Sequence, residues 1–252
     1  MLEPATARSR SCARPTTYDV PVVEHAIFIP GVGGKAWLFE HAITHLADVA
    51  STEVMVLDSQ SSREEMADWV LSHAPETFCL VGHSMGGWVA QHVAAQAPRR
   101  VSKLFLCDTW ALKPDDTDDY LRGFWTHVER DLDGALNEHF GLLLHEDRYS
   151  DTEFCSRLKT FQRQMDADAY ARQLKALAAD YATVDLLPRI TADTLVIHGR
   201  QDRIVTEEAV QYLTAGIANA SLALIEDAGH CAPIEQPQAF TALLRLWLTR
   251  NE

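Results

Sequence analysis

A serine set between glycines offers the most chemistry in this chain. Phe78-Cys79-Leu80-Val81-Gly82-His83-Ser84-Met85-Gly86-Gly87 runs an apolar stretch into Gly-x-Ser-x-Gly and on to small residues that can open a helix. A strand-to-helix turn that sharp strains the serine backbone, and a side chain at either flanking glycine would collide with the neighbouring chain. Ser84 is thereby lifted out of its strand as a nucleophile. The N–H of Met85, at the start of the following helix, points where a developing oxyanion would sit. Composition alone produces the pattern in about one chain of this size in ten, so the weight rests on its surroundings. An apolar run precedes it, and Trp88, Val89, Ala90, Val93 and Ala94 follow on a helical pattern. A phosphate-binding loop fits poorly, because neither the P-loop lysine nor the Rossmann glycine spacing is present.

A serine hydroxyl is a weak nucleophile at neutral pH and needs a histidine base, itself oriented by a carboxylate. Both are on offer after strand-like runs. Thr194-Leu195-Val196-Ile197-His198-Gly199 leads to Asp202, and Ser221–Ile225 leads through Gly229 to His230. Asp108 also follows an apolar run and competes for the acid. Most other histidines have ordinary readings: His41, His45 and His73 sit on helical patterns, His92 follows the serine turn and His198 ends a strand. His83 is beside Ser84, but adjacent side chains on so tight a turn point apart. Cys231 is expected to be a small packed residue rather than a second nucleophile.

The elements that must position these groups alternate short apolar runs with amphipathic helical stretches, the pattern of a parallel sheet covered on both faces. Strands are predicted at His25–Ile29, Val54–Asp58, Phe78–Val81, Val101–Cys107, Thr194–His198 and Ser221–Ile225. Helices are predicted at Lys35–Val49, Arg63–His73, Met85–Gln96, Glu207–Ile217 and Gln238–Thr249. Residues 111–188 break the alternation, being helical and charge-rich with no convincing strand. The expected layout is therefore an α/β core over residues 23–110 and 189–252, a helical cap over 111–188, and a poorly ordered tail over 1–22.

Composition narrows the partners. Of 252 residues 47% are hydrophobic, enough for one domain with a buried core, and 36 Asp+Glu against 22 Lys+Arg leave a formal charge of −14. Such a chain repels phosphate backbones and anionic headgroups, so neither nucleic acid nor a membrane surface is expected as a partner. No apolar run approaches the ~18 residues of a membrane span. The five cysteines are scattered without a Cys-x-x-Cys pair, which fits a reducing cytoplasm. A monomer or weak homodimer is expected.

On these motifs, from Ile27 to the C-terminus, the chain resembles α/β-hydrolases of the capped serine-esterase type. The matching pieces are Ile27-Phe28-Ile29-Pro30-Gly31-Val32-Gly33-Gly34, the Ser84 turn, His198-Gly199-Arg200-Gln201-Asp202, and Gly229-His230 followed by Glu235-Gln236-Pro237 and Phe240. The resemblance implies an α/β-hydrolase fold of about six mostly parallel strands with a helical cap, and the catalytic order Ser84, Asp202, His230. Its Gly-x-x-Asp setting favours Asp202 over Asp108. The family's second oxyanion N–H falls on Val32, although Pro30 stands where the family usually has histidine. Trp110, Trp37, Phe124 and Trp125 flank the first loop or the cap and are expected to line an acyl pocket, Trp110 foremost.

The implied reaction is hydrolysis of a small ester or thioester through an acyl-enzyme, with no metal or organic cofactor. A serine nucleophile argues against dehalogenase and epoxide hydrolase relatives, which use aspartate there. Alternatives within the fold are a carrier-protein methyl esterase, a carbon–carbon bond hydrolase and a lyase. The aspartates that open the cap, Asp115, Asp116, Asp118 and Asp119, disfavour an acidic carrier. Trp88, in place of the lyases' usual arginine, disfavours a lyase. A ligand-binding homologue without turnover is the alternative from another class.

Overall fold

The structure, a computed structural model, describes residues 23–250; the expectation for the tail lies outside them. Its sheet has six strands, all parallel, in the order β2-β1-β3-β4-β5-β6. They are β1 (Val23–Ile29), β2 (Ala50–Val54), β3 (Phe78–His83), β4 (Val101–Cys107), β5 (Asp193–Gly199) and β6 (Ala220–Ile225). Helices α1 (Glu40–His45), α2 (Arg63–His73) and α3 (Met85–Gln96) connect the first four strands. Four more, α4 (Thr117–Arg130), α5 (Leu132–Leu143), α6 (Thr152–Gln162) and α7 (Ala167–Ala179), are inserted between β4 and β5. Helices α8 (Glu207–Gly216), α9 (Ala232–Glu235) and α10 (Pro237–Thr249) complete the chain.

Alternation along each strand sorts side chains onto two cores. Ile27, Leu80, Leu104 and Val196 face one side, where they meet Met66 and Val70 of α2, Trp88 and Val89 of α3, and Val210 and Leu213 of α8. Phe28, Val81, Phe105 and Ile197 face the other, against Phe240, Leu244 and Trp247 of α10. Strands buried on both faces must read as continuous apolar runs, and β3 is buried at all six positions. Helix α2 starts where Ser62 accepts the Glu65 N–H at 3.1 Å.

Two expectations need correction. The second strand is Ala50–Val54, not Val54–Asp58. It is one of the two edge strands, its alternate residues Ser51 and Glu53 are exposed and its apolar content is low; the apolar Met55 and Leu57 that suggested a strand are buried beyond its end. The predicted Lys35–Val49 helix is broken into a 3-10 turn, Ala36–Phe39, and the short α1. Phe39 there has φ −111° and ψ 10°, a local departure from helix that lets Leu38 and Phe39 both reach the core.

The tightest joint lies between α3 and β1. A Cβ at Gly86 would stand 2.0 Å from the Ile29 carbonyl oxygen and 2.8 Å from that of Pro30. Both are backbone atoms in the middle of the fold and have nowhere to go. Gly86→Ala should therefore cost about 3 kcal/mol or more, read as a lowered urea midpoint or loss of soluble protein. An unchanged midpoint would show that the joint can open.

Candidate active site

Ser84 joins β3 to α3 with φ 53° and ψ −119°, a conformation that L-residues rarely hold. Its backbone is fastened from several sides. The Ser84 N–H donates to Cys107 O at 2.9 Å, and its carbonyl accepts from the Thr109 hydroxyl at 2.9 Å and from the Gly87 N–H at 2.9 Å. Gly82 is required because a Cβ there would lie 2.4 Å from Gly86 O.

The side chains of Ser84, His230 and Asp202 meet in one line. His230 Nε2 is 3.0 Å from Ser84 Oγ, and His230 Nδ1 is 2.8 Å from Asp202 Oδ2. With the carboxylate on its Nδ1 side, the neutral ring carries its proton there and keeps Nε2 free to accept from the serine hydroxyl. Asp202 is fixed through its other oxygen, which accepts the N–H groups of Ile204 at 2.7 Å and Val205 at 3.0 Å. It comes from the loop after β5, while His230 follows β6.

Asp108 is fully buried, at φ 47°, and its carboxylate accepts the Gly199 N–H at 2.8 Å. The His198 ring lies beside it, with Nδ1 3.2 Å from Asp108 Oδ1 and 3.9 Å from Asp202 Oδ2. Asp108, His198 and Asp202 form the one group with metal-type ligand spacing among the described residues. Their carboxylate oxygens are already engaged by Gly199, Ile204, Val205 and His230. His83 donates from Nε2 to the His230 carbonyl at 2.7 Å, so it braces the base. Burial, with His230 close by, pushes the His83 pKa down to about 4 and keeps it neutral.

His230 itself goes the other way. Burial disfavours its charged form, but Asp202 beside it, helped by Asp108 and Glu235, outweighs that and raises its pKa above the usual value. Glu235 is fully buried and its pKa is pushed up to about 7 by burial, although the N–H groups of His145, Gly229 and Cys231 donate to it. Those bonds, at 2.6, 2.8 and 3.3 Å, tie the His230 loop to the turn after α5.

The expected oxyanion donors lie on either side of Ser84. Met85 opens α3, where a first-turn N–H has no intrahelical partner. Val32 sits in a turn closed by Gly34 N–H to Gly31 O at 3.0 Å, and the next residue, Gly33 at φ +70°, donates its N–H to Gln173 Oε1 of α7 at 2.9 Å. Pro30 thus begins a loop held from outside by a glutamine of the insertion. Above Ser84 is a cavity of about 320 Å³ whose wall is largely apolar. Trp110, Trp37 and Phe124 line it. Trp110 is stacked on Tyr181 with ring centroids 4.6 Å apart.

Trp125 is not part of this wall. Trp125 points about 100° away from Phe124 around α4 and packs, half-buried, against the main core without reaching the cavity. Tyr120, His139, Gln162, Tyr170 and Tyr181 line the cavity without having been expected there. The one available signal was the spacing of Tyr170, Leu174 and Leu177 on α7, which places all three on one helical face. His139 accepts from the Tyr120 hydroxyl at 2.6 Å or donates to it, and burial pushes its pKa down to about 3.

The chain belongs to the alpha/beta hydrolase family, whose pattern it matches over residues 26–243. It is a hydrolase of that fold. Among its relatives is the pimeloyl-[acyl-carrier protein] methyl ester esterase of Pectobacterium atrosepticum, 26% identical over 84% of this chain and 88% of the relative. Similar solved structures include a thermophilic esterase from Thermogutta terrifontis, with TM-score 0.80 and 24% identity, covering 91% of this chain and 90% of that one. The enol-lactonase from Burkholderia xenovorans LB400 has TM-score 0.79 and 21% identity, covering 90% and 92% of the two chains.

The His230 environment can be read directly by ¹⁵N NMR. The imidazole should titrate above the ordinary histidine value, and Asp108→Asn should lower its pKa, because removing a nearby negative charge disfavours the imidazolium. An unmoved or raised value would remove Asp108 from the groups acting on His230.

Proposed function

We propose that this enzyme hydrolyses a small, uncharged carboxylic ester or thioester through an acyl-enzyme on Ser84. The observation that carries the reading is the Asp202–His230–Ser84 line of hydrogen bonds opening onto a largely apolar cavity. His230 Nε2 takes the Ser84 proton as Oγ bonds to the carbonyl carbon, and the carbonyl oxygen becomes an oxyanion facing the Met85 and Val32 N–H groups. Collapse breaks the bond to the leaving oxygen or sulfur, which receives the proton from His230. Water then repeats the sequence on the acyl-Ser84, releasing the acid and restoring the hydroxyl.

The names of the relatives support ester hydrolysis and also suggest a carrier-bound methyl ester. Charge favours the small ester. Residues 111–188 hold sixteen acidic against nine basic residues, and Arg163, just after α6, is paired with Asp133. Lys159 lies 4.6 Å from the centre of the Phe140 ring. The negative excess opposes docking of an acidic carrier, although Arg122, Arg130 and Arg157 are exposed outside any ion pair among the described residues. The four described cysteines are free thiols, which supports a reducing compartment such as the cytoplasm. Among the described residues no helix is long and apolar enough to cross a membrane.

Short-chain p-nitrophenyl esters should give p-nitrophenol with a burst, and a fluorophosphonate should add to Ser84. Asp202→Asn should lower kcat by about 10⁴-fold, and Ser84→Ala should give no adduct. Turnover equal in wild type and Ser84→Ala would end the reading, and a large preference for carrier-linked over free methyl esters would replace the small substrate with the carrier.

A further inference from the structure

Four polar side chains in the cavity wall, Tyr170, Gln162, Trp37 and Tyr181, have no hydrogen-bond partner among the described residues, and the first two of these are buried. Tyr170 is 2% exposed, and its ring lies over the loop that carries Val32: a Cβ at Gly33 would fall 2.1 Å from Tyr170 Cε2 and 2.7 Å from the hydroxyl oxygen. That hydroxyl has no hydrogen-bond partner among the described residues, although the residue lines the cavity. Gln162, 6% exposed, reaches the same cavity from the last position of α6. Its carboxamide is also without a partner, with Oε1 sealed from solvent. Two other polar side chains of the wall are engaged, Tyr120 with His139 and Ser84 with His230.

The Tyr170 hydroxyl and the Gln162 Nε2 are donors at the cavity wall with no protein acceptor, and each gains a hydrogen bond when a ligand oxygen meets it. We propose that Tyr170 and Gln162 form a recognition subsite for an uncharged oxygen on the acyl group, so that acyl groups carrying an ether, hydroxyl or keto oxygen are preferred over hydrocarbon groups of the same size. The proposal rests on the acyl-Ser84 reading above and names its substrate class. Position supports the acyl side, since Tyr170 covers the residue next to Val32 and so stands close to where the carbonyl would be held. Neutrality has its own support. Burial raises the Tyr170 pKa and keeps the phenol a donor, and His139 stays uncharged. Arg203, the one cation on the cavity wall, is an exposed residue with its guanidinium 3.9 Å from Glu146. A buried carboxylate on the substrate would therefore meet no interior counter-charge, whereas a neutral oxygen needs only a donor.

The test uses p-nitrophenyl esters in pairs that differ by one methylene-to-oxygen exchange: pentanoate against 3-methoxypropanoate, hexanoate against 4-methoxybutanoate, and heptanoate against 5-methoxypentanoate. Each kcat/KM is divided by the rate of hydroxide-catalysed hydrolysis. At one oxygen position or more the ether should win by about tenfold in the wild type, as one hydrogen bond allows. The ratio should fall toward one in Tyr170→Phe, with an unchanged Tm because the lost hydroxyl bonds to no protein group. Ratios at or below one throughout, ratios unmoved by both Tyr170→Phe and Gln162→Leu, or an equal kcat loss for both members of every pair would overturn the subsite. If no ester were turned over, the corresponding primary amides would be titrated into Ser84→Ala, following the fluorescence of Trp110 and Trp37. A Tyr170-dependent preference for the ether amides there would keep the subsite while discarding ester hydrolysis, and equal binding would discard the subsite.

Discussion

Ser84 leaves the plane of the sheet because its backbone is held at a positive φ, and the surrounding structure is arranged to keep it there. Such a conformation costs of order 1–3 kcal/mol and persists only when its surroundings over-determine it. Here β3 fixes the residue from before, α3 from after, and β4 from the side through Cys107 and Thr109. The close approach of Gly82 and Gly86 leaves no room for relaxation. Central position in the sheet follows from the same need. An edge strand, covered on one side only, could not hold a strained residue against its neighbours.

Around that point the charges are layered. Asp202 and Asp108 are buried beneath the serine with three histidines between or beside them, and each carboxylate is satisfied by backbone N–H groups from the β5–α8 loop or from Gly199. Above the serine the wall carries charge only at Arg203 and Asp116, with His139 and the tyrosines all in their neutral forms. A site of this kind has its fixed negative charge on the side of the base and a low-dielectric space on the side of the substrate. An oxyanion forming at their boundary meets preorganised N–H dipoles with little water to compete.

Much of this was legible in the sequence because the constraints concerned are local. Gly82, Ser84 and Gly86 must be adjacent for steric reasons, Asp202 and His230 must follow strands, and buried parallel strands must be apolar throughout. Strand β2 escaped because its Ser51, Thr52 and Glu53 are polar, whereas β6 at the other edge keeps the apolar run Leu222–Ile225. Trp125 was misplaced because aromatic character does not tell which side of a helix a residue occupies; that depends on where α4 packs. Tyr170 and Gln162 left no signature at all. Their position in the cavity is set by how α6 and α7 lie across the sheet, a matter of long-range packing between segments far apart in the chain.

Gln173 has a consequence for how a substrate reaches the serine. One amide of α7 holds the Gly33 N–H through Oε1 and donates from Nε2 to the Leu57 carbonyl at 2.7 Å, while the neighbouring Arg172 reaches the Asp58 carbonyl. Swinging α7 outward would strip the bond from the very loop that presents Val32. The seventh helix is therefore a wall rather than a door.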